Sequence, residues 1–239
     1  GEWDKWEGGI YGTAEYAAVD LLLLSGGIRY NHDEYAGSIL CPSAGLIVMP
    51  RQGTRLRANL SRGFRAPQLN ELFMFPSSNE TLEAETVWSY EVGLRQRLSR
   101  FATLDLTAFV MRGNDLIEAL PNPSGPPPVL FQNGDSFEFR GVEAGLDFQA
   151  WSFVSGSLSY SYLDPGRWTR GRPGSKLDLS LMLETGAGIL RLTGRRVDDY
   201  YAAHDHEQEI GGYSLVGLYM ETARLEGFRI FAGVENLLD

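Results

Sequence analysis

The stretch Thr86-Val87-Trp88-Ser89-Tyr90-Glu91-Val92-Gly93-Leu94-Arg95-Gln96-Arg97-Leu98 decides the fold class. Trp88, Tyr90, Val92, Leu94 and Leu98 share one parity, and Ser89, Glu91, Gly93, Arg95 and Arg97 the other. Successive side chains of a strand point to opposite sides, so this is a strand with one greasy and one charged face. A helix would need apolar residues at three- and four-residue spacing, which the stretch lacks. The alternation recurs outward in both directions. Leu56, Ala58 and Leu60 stand against Arg55, Arg57 and Asn59; Leu104, Leu106, Ala108 and Val110 against Thr103, Asp105 and Thr107. Further on come Val142, Ala144, Leu146 and Phe148 against Glu143, Gly145 and Asp147, then Leu158, Tyr160 and Tyr162 against Ser157, Ser159 and Ser161. Leu177, Leu179, Leu181 and Leu183 oppose Asp178 and Ser180, and Phe228, Ile230, Ala232 and Val234 oppose Arg229, Gly233 and Glu235. The class is all-β and antiparallel.

Connections of two kinds alternate between these segments. Short ones fall near Val19-Asp20, Gln52-Gly53, Ser99-Arg100, Trp151-Ser152, Gly186-Ala187 and Leu225-Glu226, and long ones near 32–39, 63–85, 117–134, 164–175 and 198–211. The spacing predicts about twelve strands, several longer than the roughly five or six residues common in soluble sheets. Short turns at one rim, long loops at the other and an apolar-out, polar-in dyad repeat describe an outer-membrane barrel. Tyr11, Tyr16, Tyr30, Phe101, Trp151, Tyr162 and Tyr213 are expected to serve as interfacial girdle residues.

Composition narrows the alternatives. The 239 residues carry 21 Lys+Arg and 31 Asp+Glu, a net charge of −10, with 43% hydrophobic and 12% aromatic residues. That content excludes a disordered polymer. No run approaches the roughly 18 apolar residues of a membrane helix. The acidic balance argues against a nucleic-acid partner. Cys41 is the one cysteine, so no internal disulfide forms. Mean hydropathy is −0.20, the average of two opposite faces. The polar parity carries Glu15, Glu91, Asp105, Glu143, Asp147, Asp178, Glu184, Glu221 and Glu235, near balance with Arg29, Arg55, Arg57, Arg95, Arg97, Arg191, Arg195 and Arg229. A wide barrel with a wet or plugged interior needs such a lining. A soluble sandwich would hide its apolar face instead.

Three stretches resemble a known family. Leu56-Arg57-Ala58-Asn59-Leu60-Ser61-Arg62-Gly63-Phe64-Arg65-Ala66-Pro67-Gln68-Leu69-Asn70-Glu71-Leu72-Phe73 is similar to the strand-to-loop signature of TonB-dependent outer-membrane receptors. Leu82-Glu83-Ala84-Glu85-Thr86-Val87-Trp88-Ser89-Tyr90-Glu91-Val92-Gly93-Leu94 resembles the block that follows it, with Ala84 where the family pattern has proline. Asn114-Asp115-Leu116-Ile117, Phe131-Gln132-Asn133-Gly134 and Arg140-Gly141-Val142-Glu143 resemble the next hairpin, and Gly212-Tyr213-Ser214-Leu215-Val216 and Gly233-Val234-Glu235-Asn236-Leu237-Leu238-Asp239 the penultimate strands. The resemblance implies a receptor that binds a scarce nutrient (a ferric siderophore, haem, cobalamin or a glycan) outside the cell. Uptake would be driven by the TonB–ExbB–ExbD complex. Against the 22-stranded family barrel it implies that the plug, the TonB box, roughly the first nine or ten strands and the last strand lie outside residues 1–239. Such a segment by itself is expected not to form a conducting pore, because lipid tolerates no unpaired sheet edge. The partners expected are outer-membrane lipid, a small-molecule nutrient and the TonB complex. A passive porin-like channel, needing no plug, is the rival reading, and a soluble binding module a third.

The candidate ligand-binding residues lie in the long connections. Arg65, near Phe64 and Phe73, and Arg167 beside Trp168 could grip an anionic ligand by charge and stacking. Asp198-Asp199-Tyr200-Tyr201-Ala202-Ala203-His204-Asp205-His206-Glu207 adds Tyr200, Tyr201, His204 and His206. Imidazoles and carboxylates of that loop have metal-ligand chemistry, but a solvated acidic loop accounts for them, and neither a metal nor a cofactor is expected. No Gly-x-Ser-x-Gly elbow or spaced nucleophile–base pair occurs, so an enzyme is not expected.

Overall fold

The computed structural model describes residues 3–203, 207–223 and 227–238. Its strands are β1 (Glu7–Val19), β2 (Leu22–Asp33), β3 (Gly37–Arg51), β4 (Thr54–Arg65), β5 (Glu85–Ser99), β6 (Ala102–Asn114), β7 (Ile117–Pro121), β8 (Val129–Asn133), β9 (Phe137–Trp151), β10 (Val154–Asp164), β11 (Ser175–Thr185), β12 (Gly188–Val197), β13 (Tyr200–Tyr201), β14 (Glu209–Ile210), β15 (Tyr213–Thr222) and β16 (Phe231–Val234). A single π-turn spans Asn70–Met74. One 12-stranded sheet runs β1-β2-β3-β4-β5-β6-β9-β10-β11-β12-β15-β16, each strand beside its neighbour in the chain apart from two small hairpins, β7-β8 and β13-β14. The all-β, antiparallel expectation and the strand number hold.

The residues group into two compact units, one of Gly1–Val48, Arg57–Val92 and Phe109–Phe139, the other of Met49–Leu56, Gly93–Ala108 and Arg140–Asp239. In the first, the pairs Ile10↔Tyr30, Gly12↔Ile28 and Tyr16↔Leu24 continue into Tyr30↔Leu40, Ile28↔Pro42 and Leu24↔Leu46. In the second, Leu146↔Leu158, Leu158↔Leu179, Leu181↔Leu192 and Leu192↔Leu218 make the corresponding apolar rows. These rows are exposed: Ile10, Tyr16, Ile28, Tyr30 and Leu40 in the first unit, Leu158, Leu177, Leu190, Leu218 and Met220 in the second. Buried apolar residues are few and lie in or beside loops, among them Leu72, Leu82, Leu116, Ile117 and Trp168. A sheet that exposes its greasy side is built for lipid, and this excludes the soluble sandwich.

The other parity is wet. Ser157 faces Ser180 and Asp147, and Ser159 faces Asp178. In the second unit a trough of ≈ 460 Å³ lies over this face, lined by Ser157, Ser159, Asp178, Thr193, Arg195 and Tyr219 among others.

Parity also corrects two aromatic expectations. Tyr11 pairs with Arg29, and Tyr213 with Val197, itself opposite Lys176, so both stand on the polar face. Tyr16, Tyr30 and Tyr162 lie on the apolar one. The long connection expected over 32–39 is a three-residue turn at 34–36. Asp33 Oδ1 closes it by accepting the amides of Tyr35 and Ala36, at 3.0 and 2.8 Å. The remaining long connections are real, but 117–134 carries the β7-β8 hairpin and 198–211 the β13-β14 pair.

Candidate functional site

In the first unit the chain leaves β4 at Arg65, turns at the fully buried Pro67 and enters the π-turn. The turn brings Glu71 back beneath Arg65, whose Nη1 lies 2.9 and 3.0 Å from the two carboxylate oxygens. Arg65 Nη2 reaches Glu85 Oε1 at the start of β5, at 2.7 Å. Each carboxylate also takes a backbone amide: Gln68 N donates to Glu71 at 2.8 Å and Ile117 N to Glu85 at 2.7 Å. A forked guanidinium suits this bridging role, since one planar group can serve two carboxylates.

Around this clamp Leu72, Leu82 and Ile117 form a small core with Phe73 and Phe131. Side-chain amides lace it to the backbone. Asn79 Nδ2 donates to Phe131 O, and Asn133 Nδ2 to both Glu83 O and Asp115 O, each at 2.9 Å. The loop 66–84 and the β7-β8 hairpin are therefore one packed body. Its outer side carries aromatics: Phe73 stacks on Trp3 at 4.2 Å and meets Tyr35 edge-on at 5.2 Å. Desolvation and the carboxylates of Glu34, Asp4, Asp33 and Glu80 push the Tyr35 phenol above its ordinary pKa.

In the second unit two loops are joined. Trp168 is buried, with the Arg167 guanidinium 5.0 Å over its ring. Arg172 Nη1 donates to the carbonyls of Trp168 and Arg170, at 2.9 and 3.2 Å. Tyr200 and Tyr201 pair with Ile210 and Glu209. Arg170 then bridges to Tyr201, and Gly171 N donates to Tyr201 O at 2.8 Å. Loop 165–174 thus meets the β13-β14 hairpin through one parallel bridge.

The expected residues Arg167, Trp168, Tyr200 and Tyr201 are brought together here, and Arg65 lies in the other unit. His204 and His206 lie outside the described residues. Among the described residues no group of three or more His, Cys, Asp or Glu could hold a metal ion. Sequence reasoning missed Glu71 and Glu85 as partners of Arg65, the bridge of Arg170 and Gly171 to Tyr201 as the link between the loops, and Arg172 as the residue that closes its own loop. The six-residue step from Arg65 to Glu71 across Pro67, a chain reversal, was the available signal for the first.

The sequence profile of the family described as "TonB dependent receptor-like, beta-barrel" matches residues 1–237. The chain belongs to this receptor family. The vitamin B12 transporter BtuB of Vibrio vulnificus (strain YJ016) is 28% identical over 155 residues, covering 65% of this chain and 25% of that protein. An iron-regulated outer membrane virulence protein of Vibrio cholerae serotype O1 is 28% identical over 179 residues, covering 66% and 27%. The ferric enterobactin receptor PfeA of Pseudomonas aeruginosa superposes with a TM-score of 0.80 at 18% identity, over 98% of this chain and 40% of that one. The siderophore receptor PirA of Pseudomonas aeruginosa gives 0.78 at 21%, over 98% and 43%. The chain spans about a quarter of the curated relatives' length. As a TonB-dependent receptor barrel, its 12-stranded sheet is of the outer-membrane type and its location is the outer membrane. These relatives are transport receptors, not enzymes.

Proposed function

We infer that the protein is part of the barrel of a receptor that captures a scarce nutrient outside the cell. It imports that nutrient, without covalent chemistry, using energy delivered by the TonB–ExbB–ExbD complex through a plug and TonB box beyond these residues. The observation that carries this reading is that packed, hydrogen-bonded loop segments sit at the ends of strands whose apolar rows are exposed, as a binding surface carried on a lipid-embedded wall requires. Names borne by the relatives point to cobalamin or a ferric siderophore as cargo.

The residues assigned to ligand binding or its support are Arg65, Arg167, Trp168, Tyr200, Tyr201, His204 and His206, the two histidines by residue type alone. Arg167, its guanidinium over the buried Trp168 ring, offers charge to an anionic ligand, and Trp168 supports it from below. Arg65, with two nitrogens committed to Glu71 and Glu85, enters the set as a positioning residue. The test is uptake of radiolabelled cyanocobalamin and ferric enterobactin by cells carrying the full-length receptor. Uptake that disappears without TonB or on collapse of the proton gradient is expected. Uptake indifferent to both would overturn the reading in favour of passive diffusion.

A further inference from the structure

Arg195 and Arg196 are neighbours in β12 and point to opposite faces. Arg195 stands on the polar face with Asp178 directly across, its Nε 2.6 Å from Oδ1. Arg196 stands on the apolar face, in the column of Leu190, Leu192 and Gly194. Its cross-strand neighbours are Leu177 on β11 and Ser214 on β15. It is exposed, and its bond among the described residues is a 3.4 Å contact to Ser214 Oγ. Among the described residues the inward arginine has a counter-charge and the outward one has none.

Depth decides what that partner is. A lipid-facing arginine is costly at the bilayer midplane and close to free at the interface. Arg196 sits one residue from the end of β12, beside the long connection 198–211. The row it occupies runs through Leu177 to Tyr160, and the next row holds Tyr162. Tyrosines on a lipid-facing surface mark the headgroup level. The arginine is therefore at the depth of lipid headgroups, on the long-loop side of the membrane. There the anions within reach are phosphates, and a guanidinium fork binds phosphate through two parallel N–H bonds.

We propose that Arg196, at the level of Tyr160 and Tyr162 two strands away, binds the phosphate of an outer-leaflet lipid. The first unit, taken by itself, repeats the device. Arg62 continues the apolar column of Leu56, Ala58 and Leu60 to the far end of β4. Its Nη1 donates to Leu40 O at 3.4 Å, and its buried Nε has no partner among the described residues. This surface serves anchoring and is independent of which nutrient is carried.

The test uses the full-length receptor in detergent micelles, incubated with bisphosphorylated lipid A, with retained lipid counted by native mass spectrometry. Arg196→Gln is expected to weaken retention about tenfold, the loss of one charge-assisted pair. Arg196→Lys should retain part of it, and Arg100→Gln, in the two-residue turn at the opposite end of β5, should change nothing. Dephosphorylated lipid A should bind the unchanged receptor and R196Q alike. Equal retention of phosphorylated lipid by R196Q and the unchanged receptor would overturn the proposal. So would displacement of the lipid by millimolar inorganic phosphate, which would make this a free-anion site. If R196Q does not fold to the heat-modifiable form, the unchanged receptor decides: no preference for phosphorylated over dephosphorylated lipid refutes the assignment.

Discussion

Removing the fork of Arg65 while keeping its stem, in Arg65→Met, should loosen one loop body and leave the sheet alone. The substitution leaves Glu71 and Glu85 facing each other, each holding a single backbone amide. Their side chains are 10% and 15% exposed, against 37% for Arg65. Exposed ion pairs contribute about 0–1 kcal/mol, and breaking a buried one costs about 3–5 kcal/mol. Two well-shielded carboxylates under a half-open arginine fall between, at about 2 kcal/mol. Because the clamp joins loop 66–84 to β7, that energy is lost from local opening, not from global unfolding. Every 1.4 kcal/mol is tenfold, so amides of the body should exchange about 30 times faster. The reporters are Leu72 N, Asn79 N and Phe131 N, bonded to Gln68 O, Glu71 O and Ser77 O. Amides of β12 and β15 serve as the internal reference. Hydrogen–deuterium exchange of the full-length receptor measures both sets at once. Loop-body exchange within about threefold of the unchanged protein, with the reference steady, would refute the clamp.

A Cβ at Gly113 would collide with the Phe137 ring and lie 2.5 Å from Thr86 O; Gly113→Ala should cost about 1–3 kcal/mol and lower the yield of heat-modifiable barrel. Asp178→Asn should shift stability by less than about 1 kcal/mol, because Asp178 and Arg195 are 42% and 56% exposed, and urea unfolding in detergent measures it. Trp168→Ala empties the buried centre of loop 165–174, so the amide of Gly171 should lose protection and ligand affinity should fall at least about tenfold, read by exchange and by titration calorimetry.

Strand parity was legible because it is local. The alternation at 86–98 or 154–162 needs no knowledge of what lies across the sheet, and register then carries it from strand to strand, as from Leu146 through Leu158 to Leu179. What escaped depended on contacts the chain makes with distant parts of itself. Arg65 finds Glu85 twenty residues on and Ile117 fifty-two residues on, through a reversal at Pro67 that no hydrophobic period announces. Tyr201 meets Arg170 across a whole hairpin. Asp33 shortened an expected loop because its carboxylate, at the end of β2, accepts the amides two and three residues on. Tyr11 and Tyr213 were placed by residue type where a count of parity would have placed them on the polar side.

The β7-β8 hairpin is fastened by its base. Ile117, packed on Leu72 and Leu82, Phe131, bonded to Asn79 and Ser77, and Asn133, bonded to Glu83, hold it to loop 66–84, whereas the segment between Asn122 and Pro128 is closed by its own bond, Asn122 N to Pro128 O at 2.9 Å. Length can therefore vary at that tip without disturbing the register of any long strand. It is a place where a lineage under attack from phage or antibody can rewrite its outer face, and where an engineer can splice in an epitope at Ser124-Gly125, while the barrel beneath stays the same.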